Sequence, residues 1–318
     1  MLSVLMATHN GEKTISRTLH AMSEMAPPPG GWKLVVVNNA SSDNTEQCIS
    51  AWRDRLPITY LMEPRLGKSV AMNAALRHAE GDFIVMTDDD VLPDANWLAE
   101  WRRVADAFPE CSVFGGAIVP EFDASLPPAY VPRHCYGTLY GASVAFPEGR
   151  IEPEDETGVF FLGGANLAIR RTVFEQGGHF DEGFLVGKRG LMGEDADFVT
   201  RLHRRGHKVG FSPKSRLRHI IHPTQTKWSW MHRRFFRDGR AKFMLTQVRF
   251  DEAGKRFVFP FPWDRFRSGL GSVLRLILSL GLNEEKAFKQ SHALAYDLGA
   301  LRQALSLSWR NLFRAGLR

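Results

Sequence analysis

Over the first ninety residues, short apolar runs end repeatedly in polar clusters, and a stretch with apolar residues at helical spacing follows each cluster. Leu2–Ala7 ends in Thr8-His9-Asn10-Gly11 and is followed by Ile15, Leu19 and Met22, which predicts strand, loop and helix. Lys33–Val37 leads through Asn38-Asn39-Ala40-Ser41-Ser42-Asp43 into an amphipathic stretch ending near Trp52. Ile58–Met62 gives a third strand, ahead of a helix predicted over Gly67–Ala79. Phe83–Thr87 runs into Asp88-Asp89-Asp90, before a helix predicted over Ala95–Phe108 with Asp94 as its N-cap. Repeated β-α units at this pitch predict an α/β fold with a parallel sheet and helices on both faces. Ligands in such sheets sit beyond the carboxyl ends of the strands, so Thr8–Asn10, Asn38–Asp43 and Asp88–Asp90 are expected to line one crevice.

The alternation breaks between Pro120 and about Val159, a Pro- and Gly-rich excursion with Pro127-Pro128, Pro132, Pro147 and the acidic run Glu152–Glu156. Loops of that length commonly cover a site or move over it. Order is expected to return with Val159–Leu162, a Gly163-Gly164-Ala165-Asn166 turn, strands at Leu167–Ile169 and Ser215–Arg218, and a helix from Glu194 to about Arg205. Beyond Pro223, helices are predicted at Trp228–Phe243, Gly269–Leu282 and Ala293–Leu307.

Composition is that of a globular chain: 318 residues, 44% apolar and 24% charged, which excludes disordered, collagen-like and coiled-coil classes. Gly269–Leu282, fourteen residues broken by Arg275, falls short of the roughly 20 a spanning helix needs. The opening MLSVLMATHN has no basic n-region or cleavage site, so a cytoplasmic location is expected. Cys48, Cys111 and Cys135 show no metal or disulfide spacing and are expected as free thiols. The net charge of +6 hides a division: residues 1–200 carry 16 Lys/Arg against 28 Asp/Glu (net −12), residues 201–318 carry 25 against 7 (net +18). A polycationic third attracts nucleic-acid phosphates, anionic lipid or diphosphates without choosing among them.

The acidic triplet is the sharpest local feature. Adjacent carboxylates repel, so the cluster implies a compensating hard cation, Mn²⁺ or Mg²⁺, unless it is a solvated turn at a helix start. His203/His207 and His219/His222 lack the Cys or acidic partners of a zinc set. WSWMHRRFFRDGRAK, residues 228–242, interleaves aromatics with arginines and in isolation suits single-stranded nucleic acid.

In order along the chain, VLMATHNGEKTISRTLHAM, VVVNNASSDNT, EPRLGKSVAMNAALRHAEGDFIVMTDDDVLPDANWL, GGANLAIRRTVFEQGGHFDE and GEDADFVTRLHRRGHKVGFSPKSRLRHIIHP resemble a family 2 glycosyltransferase of the GT-A fold. The resemblance implies a mostly parallel central sheet flanked by helices, and inverting transfer of a sugar from a nucleotide diphosphate to a hydroxyl. It further implies a catalytic domain over 1–222, with a nucleotide-binding half (1–119), an acceptor-side loop (120–160) and an acceptor and base half (161–222). A basic helical extension over 223–318 follows. Asp88 and Asp90 fall on the D-x-D motif, Asp90 on the metal and Asp88 near the ribose and sugar, with His219 a further metal ligand. Thr8, Asn10, Glu12, Asn38, Arg65, Lys68 and Asp89 fall where the nucleotide sugar is bound. Asp195 falls on the general base, with Glu194 its helper.

UDP is the first expectation for the donor, and because Asn38 stands where the family usually has Asp, GDP and dTDP stay open beside it. The family setting turns the 228–242 segment into an interfacial helix, its aromatics at lipid headgroups and its arginines on anionic lipid or a lipid-linked acceptor. A peripheral position at the inner face of the plasma membrane is expected, without nucleic acid as partner. The Q-x-x-R-W motif of processive synthases is absent, which implies one sugar per event. The competing readings are a sugar-1-phosphate nucleotidyltransferase, which needs a Gly-rich phosphate loop that Ala7–Gly11 does not supply, and a basic membrane or nucleic-acid adaptor.

Overall fold

β1 (Leu2–Thr8), β2 (Trp32–Asn38) and β4 (Phe83–Thr87) are almost wholly buried, as strands covered by helices on both faces must be. The computed structural model describes residues 1–143, 146–153, 159–182, 193–247, 249–250, 256–257, 267–274 and 284–315. Between these strands lie α1 (Ile15–Ser23), α2 (Thr45–Ser50), β3 (Ile58–Met62) and α3 (Lys68–Leu76). Then come β5 (Val91–Pro93), α4 (Trp97–Ala107), β6 (Cys111–Phe122), a 3₁₀ turn at Arg133–Cys135, α5 (Tyr136–Tyr140), β7 (Gly149–Ile151), β8 (Asn166–Arg170) and α6 (Arg171–Glu175). α7 (Glu194–Arg204), β9 (Lys208–Ile221), a 3₁₀ turn at Pro223–Thr226, α8 (Trp228–Gln247), a β10–β11 ribbon (Arg249–Phe250, Arg256–Phe257), α9 (267–274) and α10 (Glu284–Ala315) complete it.

The chain forms two compact units. The first comprises Met1–Glu121, Tyr140–Gly190 and Glu194–Ile221. Its sheet runs β3-β2-β1-β4-β8-β6-β9-β5, with β7 on β9. β3, β2, β1 and β4 are parallel, and β8 turns the direction by pairing antiparallel with both β4 and β6. Register puts Thr8 opposite Asn38 and Met6 opposite Thr87, so the polar clusters after β1, β2 and β4 share one edge. Side chains from Leu2, Val4 and Met6 enter a core with α1, α2 and α4, while Leu5, Val35 and Val37 enter a second core with α3, α6 and α7. Asn166 ties the layers beneath that edge: its amide donates to Ala117 O and Ser215 O and accepts from Trp97 Nε1 at 2.9 Å.

Several local expectations shift. α4 begins after Asn96 rather than Asp94, whose carbonyl accepts from Trp97 N while its carboxylate lies 3.7 Å from Arg216 Nε. Val159–Leu162 forms no regular element, although Val159, Phe160 and Leu162 are buried. Of the helix expected over Gly269–Leu282, residues 275–282 lie outside the described residues, as do Glu154–Glu156 of the acidic run. The three cysteines are free, Cys111 and Cys135 buried and Cys48 half-buried.

The second unit comprises Phe122–Leu139, Leu191–Gly193 and His222–Arg318. Part of the apolar face of α8 is covered within the unit: Met231, Phe235 and Phe243 are buried and Phe235 stacks on His292 of α10 at 4.5 Å, while Trp228 stays 40% exposed. Trp228 packs against Phe288 and Tyr130. The physical reason is the partner helix, which covers the apolar stripe. α8 and α10 approach backbone to backbone at two glycines: a Cβ on Gly239 would lie 2.0 Å from Tyr296 O, and one on Gly299 2.0 Å from Phe236 O. Among the described residues no helix is long and apolar enough to cross a membrane.

Gly239→Ala and Gly299→Ala are each expected to destabilise the fold by about 1–3 kcal/mol through overpacking. Gly269→Ala, where a Cβ meets nothing within 4 Å, is expected to leave it unchanged. Urea unfolding followed by tryptophan fluorescence checks the contrast.

Candidate functional site

The apolar strand β4 ends at Thr87, whose hydroxyl donates to Ala165 O at 2.9 Å, and the next three residues are the carboxylates Asp88–Asp90. Their backbone is pinned from two sides. Thr18 of α1 donates to Asp89 O at 2.9 Å and accepts from Val91 N at 3.1 Å, while Ile220 N of β9 donates to Asp90 O at 2.8 Å. With the backbone held, the three side chains are sent to three different partners.

Asp89 turns back onto β1, where the Thr8 hydroxyl donates to its carboxylate. Only glycine fits beside this pair, because a Cβ on Gly11 would lie 2.3 Å from both Asp89 Oδ2 and Thr8 Oγ1. Burial, then the neighbouring charges of Asp90 and Asp88, push the Asp89 carboxyl up to about 7, against the opposing hydrogen bond from Thr8.

Asp88 is paired with Lys68 at the start of α3, Nζ to Oδ1 at 2.5 Å, and the same ammonium lies 3.7 Å from Glu194 Oε1 at the start of α7. Burial disfavours the charge on Lys68, but Asp88, Glu194 and Asp195 outweigh it and hold the ammonium well above the usual lysine range. Burial and then Asp195 raise the Glu194 carboxyl, with Lys68 pulling it back.

Asp90 lies beside His219 of β9, Oδ2 to Nε2 at 3.3 Å, because β5 and β9 pair antiparallel with Val91 opposite His219. His219 Nδ1 lies 2.8 Å from Tyr140 O, and a carbonyl only accepts, so Nδ1 carries hydrogen and Nε2 is aimed at Asp90. Burial opposes ionisation of both groups; the His219 contact nevertheless holds Asp90 below the usual carboxylate range, and Asp90 and Tyr140 raise His219. Asp90 Oδ1 is buried and has no hydrogen-bond partner among the described residues. Asp195 accepts from Gly164 N at 2.6 Å through Oδ2 and from Ala196 N at 2.8 Å through Oδ1, which fixes the plane of its carboxylate.

Thr8, Lys68, Asp88, Asp89, Asp90, Glu194, Asp195 and His219 are thus linked into one set. Asn10, Glu12 and Asn38 belong to a neighbouring set that staples the β1–α1 loop to the β2–α2 loop. Asn10 has φ 56° and pairs with Ser41 and Ser42, and Glu12 accepts from Asn44 Nδ2 at 3.0 Å. Asn38 Oδ1 accepts from Ser41 N at 3.1 Å and its Nδ2 donates to Tyr60 OH at 3.1 Å. Arg65 stands apart from both, forked on Glu63 and 3.3 Å from Glu182; its hydrogen bonds hold the Glu63 carboxyl below the usual range.

Sequence reasoning passed over Asn39, Gly11, Thr18, Tyr60 and Gly164. Asn39 donates to Glu63 O and Arg65 O and accepts from Gly67 N at 2.8 Å, which joins the β2–α2 loop to the β3–α3 loop. The available signal was the doubled Asn38-Asn39 after a buried strand.

Residues 3–178 match the family model described as Glycosyl transferase family 2. The succinoglycan biosynthesis protein ExoM of Rhizobium meliloti is 24% identical over 242 residues, 71% of this chain and 69% of that protein. The probable glycosyltransferase YdaM of Bacillus subtilis is 26% identical, and the match spans 67% of this chain but 49% of that protein. Among solved structures, the Pyrobaculum calidifontis mannosyltransferase PcManGT, in complex with GDP-Man and Mn²⁺, superposes with TM-score 0.56 at 21% identity, covering 96% of this chain and 73% of that one. Staphylococcus aureus TarS 1–349 in complex with UDP-GlcNAc superposes with TM-score 0.53 at 17% identity, covering 98% and 91%. The structural likenesses give a GT-A fold, and the family match extends over more than half of the chain. The chain therefore belongs to glycosyl transferase family 2 and is a glycosyltransferase.

Proposed function

We propose that this glycosyltransferase inverts the anomeric centre and adds one sugar per event, from a nucleotide-diphosphate donor to a hydroxyl of a lipid-linked or saccharide acceptor. The observation that carries this reading is the single set formed by Asp88–Asp90, Lys68, His219 and the Glu194-Asp195 pair at the carboxyl edge of the parallel strands. Residues 1–222 act as the catalytic domain in this reading, and 223–318 as an extension.

Asp195, oriented by Gly164 N–H, takes the proton of the acceptor hydroxyl. The hydroxyl oxygen bonds to the anomeric carbon from the face opposite the leaving group. The bond from that carbon to the diphosphate oxygen breaks, and its electron pair leaves with the nucleoside diphosphate. Glu194 positions the acceptor beside Asp195. Thr8, Asn10, Glu12, Asn38 and Arg65 bind the nucleoside end of the donor, and Lys68, Asp88 and Asp89 the ribose, sugar and diphosphate.

The residues present fit a hard cation, because Asp90 Oδ1 is buried without a partner and His219 Nε2 lies beside the other oxygen of the same carboxylate. Among the described residues no group of three His, Cys, Asp or Glu side chains is gathered to hold an ion by itself. Asp90, His219 and Asp88 would therefore hold Mn²⁺ or Mg²⁺ together with the donor's diphosphate and water. When bound, the cation neutralises the charge that develops on the leaving diphosphate.

UDP is the first donor to test, with GDP and dTDP beside it, because Asn38, which stands where the family usually has Asp, is buried with its amide on Tyr60 and Ser41 and does not choose the base. The place of action is an anionic membrane surface at the cytoplasmic face, where a lipid-linked acceptor resides.

Asp90→Ala is expected to abolish metal-dependent donor binding, measured by calorimetry with and without EDTA. Asp195→Asn is expected to keep donor binding while turnover falls by about 10²–10⁴-fold. Equal donor binding in Asp90→Ala, or turnover retained in Asp195→Asn, would sink these assignments. In metal-free protein, Asp89→Asn is expected to raise the melting temperature by a few degrees at pH 8. The sign follows from a folded carboxyl near 7 against an ordinary value of 3.8: the native state holds a proton that the unfolded chain has lost, so ionisation costs stability as pH rises. The gain should grow between those two values and level off above the upper one. A pH series of thermal melts reads it.

A further inference from the structure

The lipid surface in the reading above needs a place on this chain, and the structure offers it on α9 rather than α8. Ser268 and Ser272 of α9 donate to Asp297 of α10 at 3.0 and 2.6 Å. That attachment fixes which side of α9 faces outward: Leu270, Val273 and Leu274, at i, i+3 and i+4, are 64%, 38% and 59% exposed. Leu298, next to Asp297 on α10, is 45% exposed. Ten large apolar side chains are this exposed among the described residues, and three of them fall within residues 267–274. Such clustering marks a surface with a partner, whereas scattered exposed apolar residues need none.

Charge chooses the partner. Residues 222–318 carry 18 Lys/Arg against 7 Asp/Glu, a net of +11. Arg267 opens α9 and Arg302 lies one turn beyond Leu298, both exposed. A second copy meeting the patch through its own α9 would bring the same +11 and be repelled, while an anionic surface is attracted. An apolar stripe flanked by arginine is the pattern of a helix lying in the headgroup region. We propose that α9 and Leu298 dock the second unit onto an anionic lipid bilayer. Leu270, Val273 and Leu274 enter the boundary with the acyl chains, and Arg267 and Arg302 meet headgroup phosphates. The proposal rests on the lipid-linked-acceptor reading for its purpose, but binding is measurable without transfer.

The full chain is sedimented with vesicles of phosphatidylglycerol and phosphatidylcholine, and with vesicles of phosphatidylcholine alone, at low and raised salt. Partitioning to the anionic vesicles is expected, weakened but not lost by salt because the apolar contribution is unscreened. Leu270→Asp combined with Leu274→Asp is expected to lower partitioning by about ten-fold or more. Arg267→Glu should weaken binding to the anionic vesicles alone. Leu274→Ser repeats the comparison at smaller amplitude should the double variant fail to fold, and thermal melts with donor hydrolysis verify the fold of each variant. Three outcomes overturn the proposal: no partitioning of the parent chain, unchanged partitioning of the folded variants, or a concentration-dependent dimer that Leu274→Ser dissociates. Absence of donor hydrolysis in the parent chain would instead count against the transferase reading, whatever the vesicles show.

Discussion

Three consecutive carboxylates at the mouth of a buried strand are the constraint around which the first unit is organised. Each buried charge costs several kcal/mol of desolvation unless it is paired, and like charges at adjacent positions add to that cost. The fold separates the problem into three parts. Asp89 meets the Thr8 hydroxyl and holds its proton near neutrality, Asp88 meets Lys68, and Asp90 meets His219. The elements that deliver those partners are the end of β1, the start of α3 and the middle of β9. The switch from parallel to antiparallel pairing at β8 is what returns β9 beside β5, and with it His219 beside Asp90.

Lys68 carries the organisation further, because its ammonium lies between the acidic triplet and Glu194. The start of α7 is also favourable for carboxylates, since unpaired N–H groups and the positive end of the helix dipole are there. Asp195 uses one such N–H, that of Ala196, and the Gly164 N–H from the turn before β8. The Asp88–Asp90 carboxylates and the Glu194-Asp195 pair are therefore tied together by the Lys68 ammonium, in a part of the sheet edge whose floor is cross-linked by the Asn166 amide. A change at Lys68 is felt on both sides, which makes it a poor position for assigning a single role.

How much of this the sequence discloses depends on the range of the interaction. The buried strands Leu2–Thr8, Trp32–Asn38 and Phe83–Thr87 are legible because strands covered on both faces are written as near-continuous apolar runs. The acidic triplet is legible because its members are adjacent. The pairing of Asp90 with His219, 129 positions apart, is set by strand register and leaves no local trace, and the use of Nδ1 by Tyr140 O is invisible for the same reason. α8 shows the complementary limit. Periodicity identifies an apolar face but not what covers it: among the aromatics of the 228–242 segment, Phe235 is buried and stacked on His292 of α10. The exposed stripe on the described part of α9 carries no aromatics, and its attachment through Asp297 shows which way it faces.

The division of charge bears on how a donor enters the site. In the proposed reading, a nucleoside diphosphate approaching Asp88, Asp89, Asp90, Glu194 and Asp195 meets carboxylates, and among the described residues the Lys68 ammonium at their centre is already paired with Asp88. Sequence-wide the same sign holds, with a net of −12 over residues 1–200. An anionic donor therefore gains little from this site unless positive charge arrives with it, and a divalent cation gains ligands when a diphosphate arrives with it. The two affinities must rise together by the same factor, because coupling between two binding events is reciprocal. In the proposed reading, an excess of carboxylates that would exclude the donor alone would become, with a cation, a source of selectivity for diphosphates over singly charged ligands, which bring fewer oxygens to the ion.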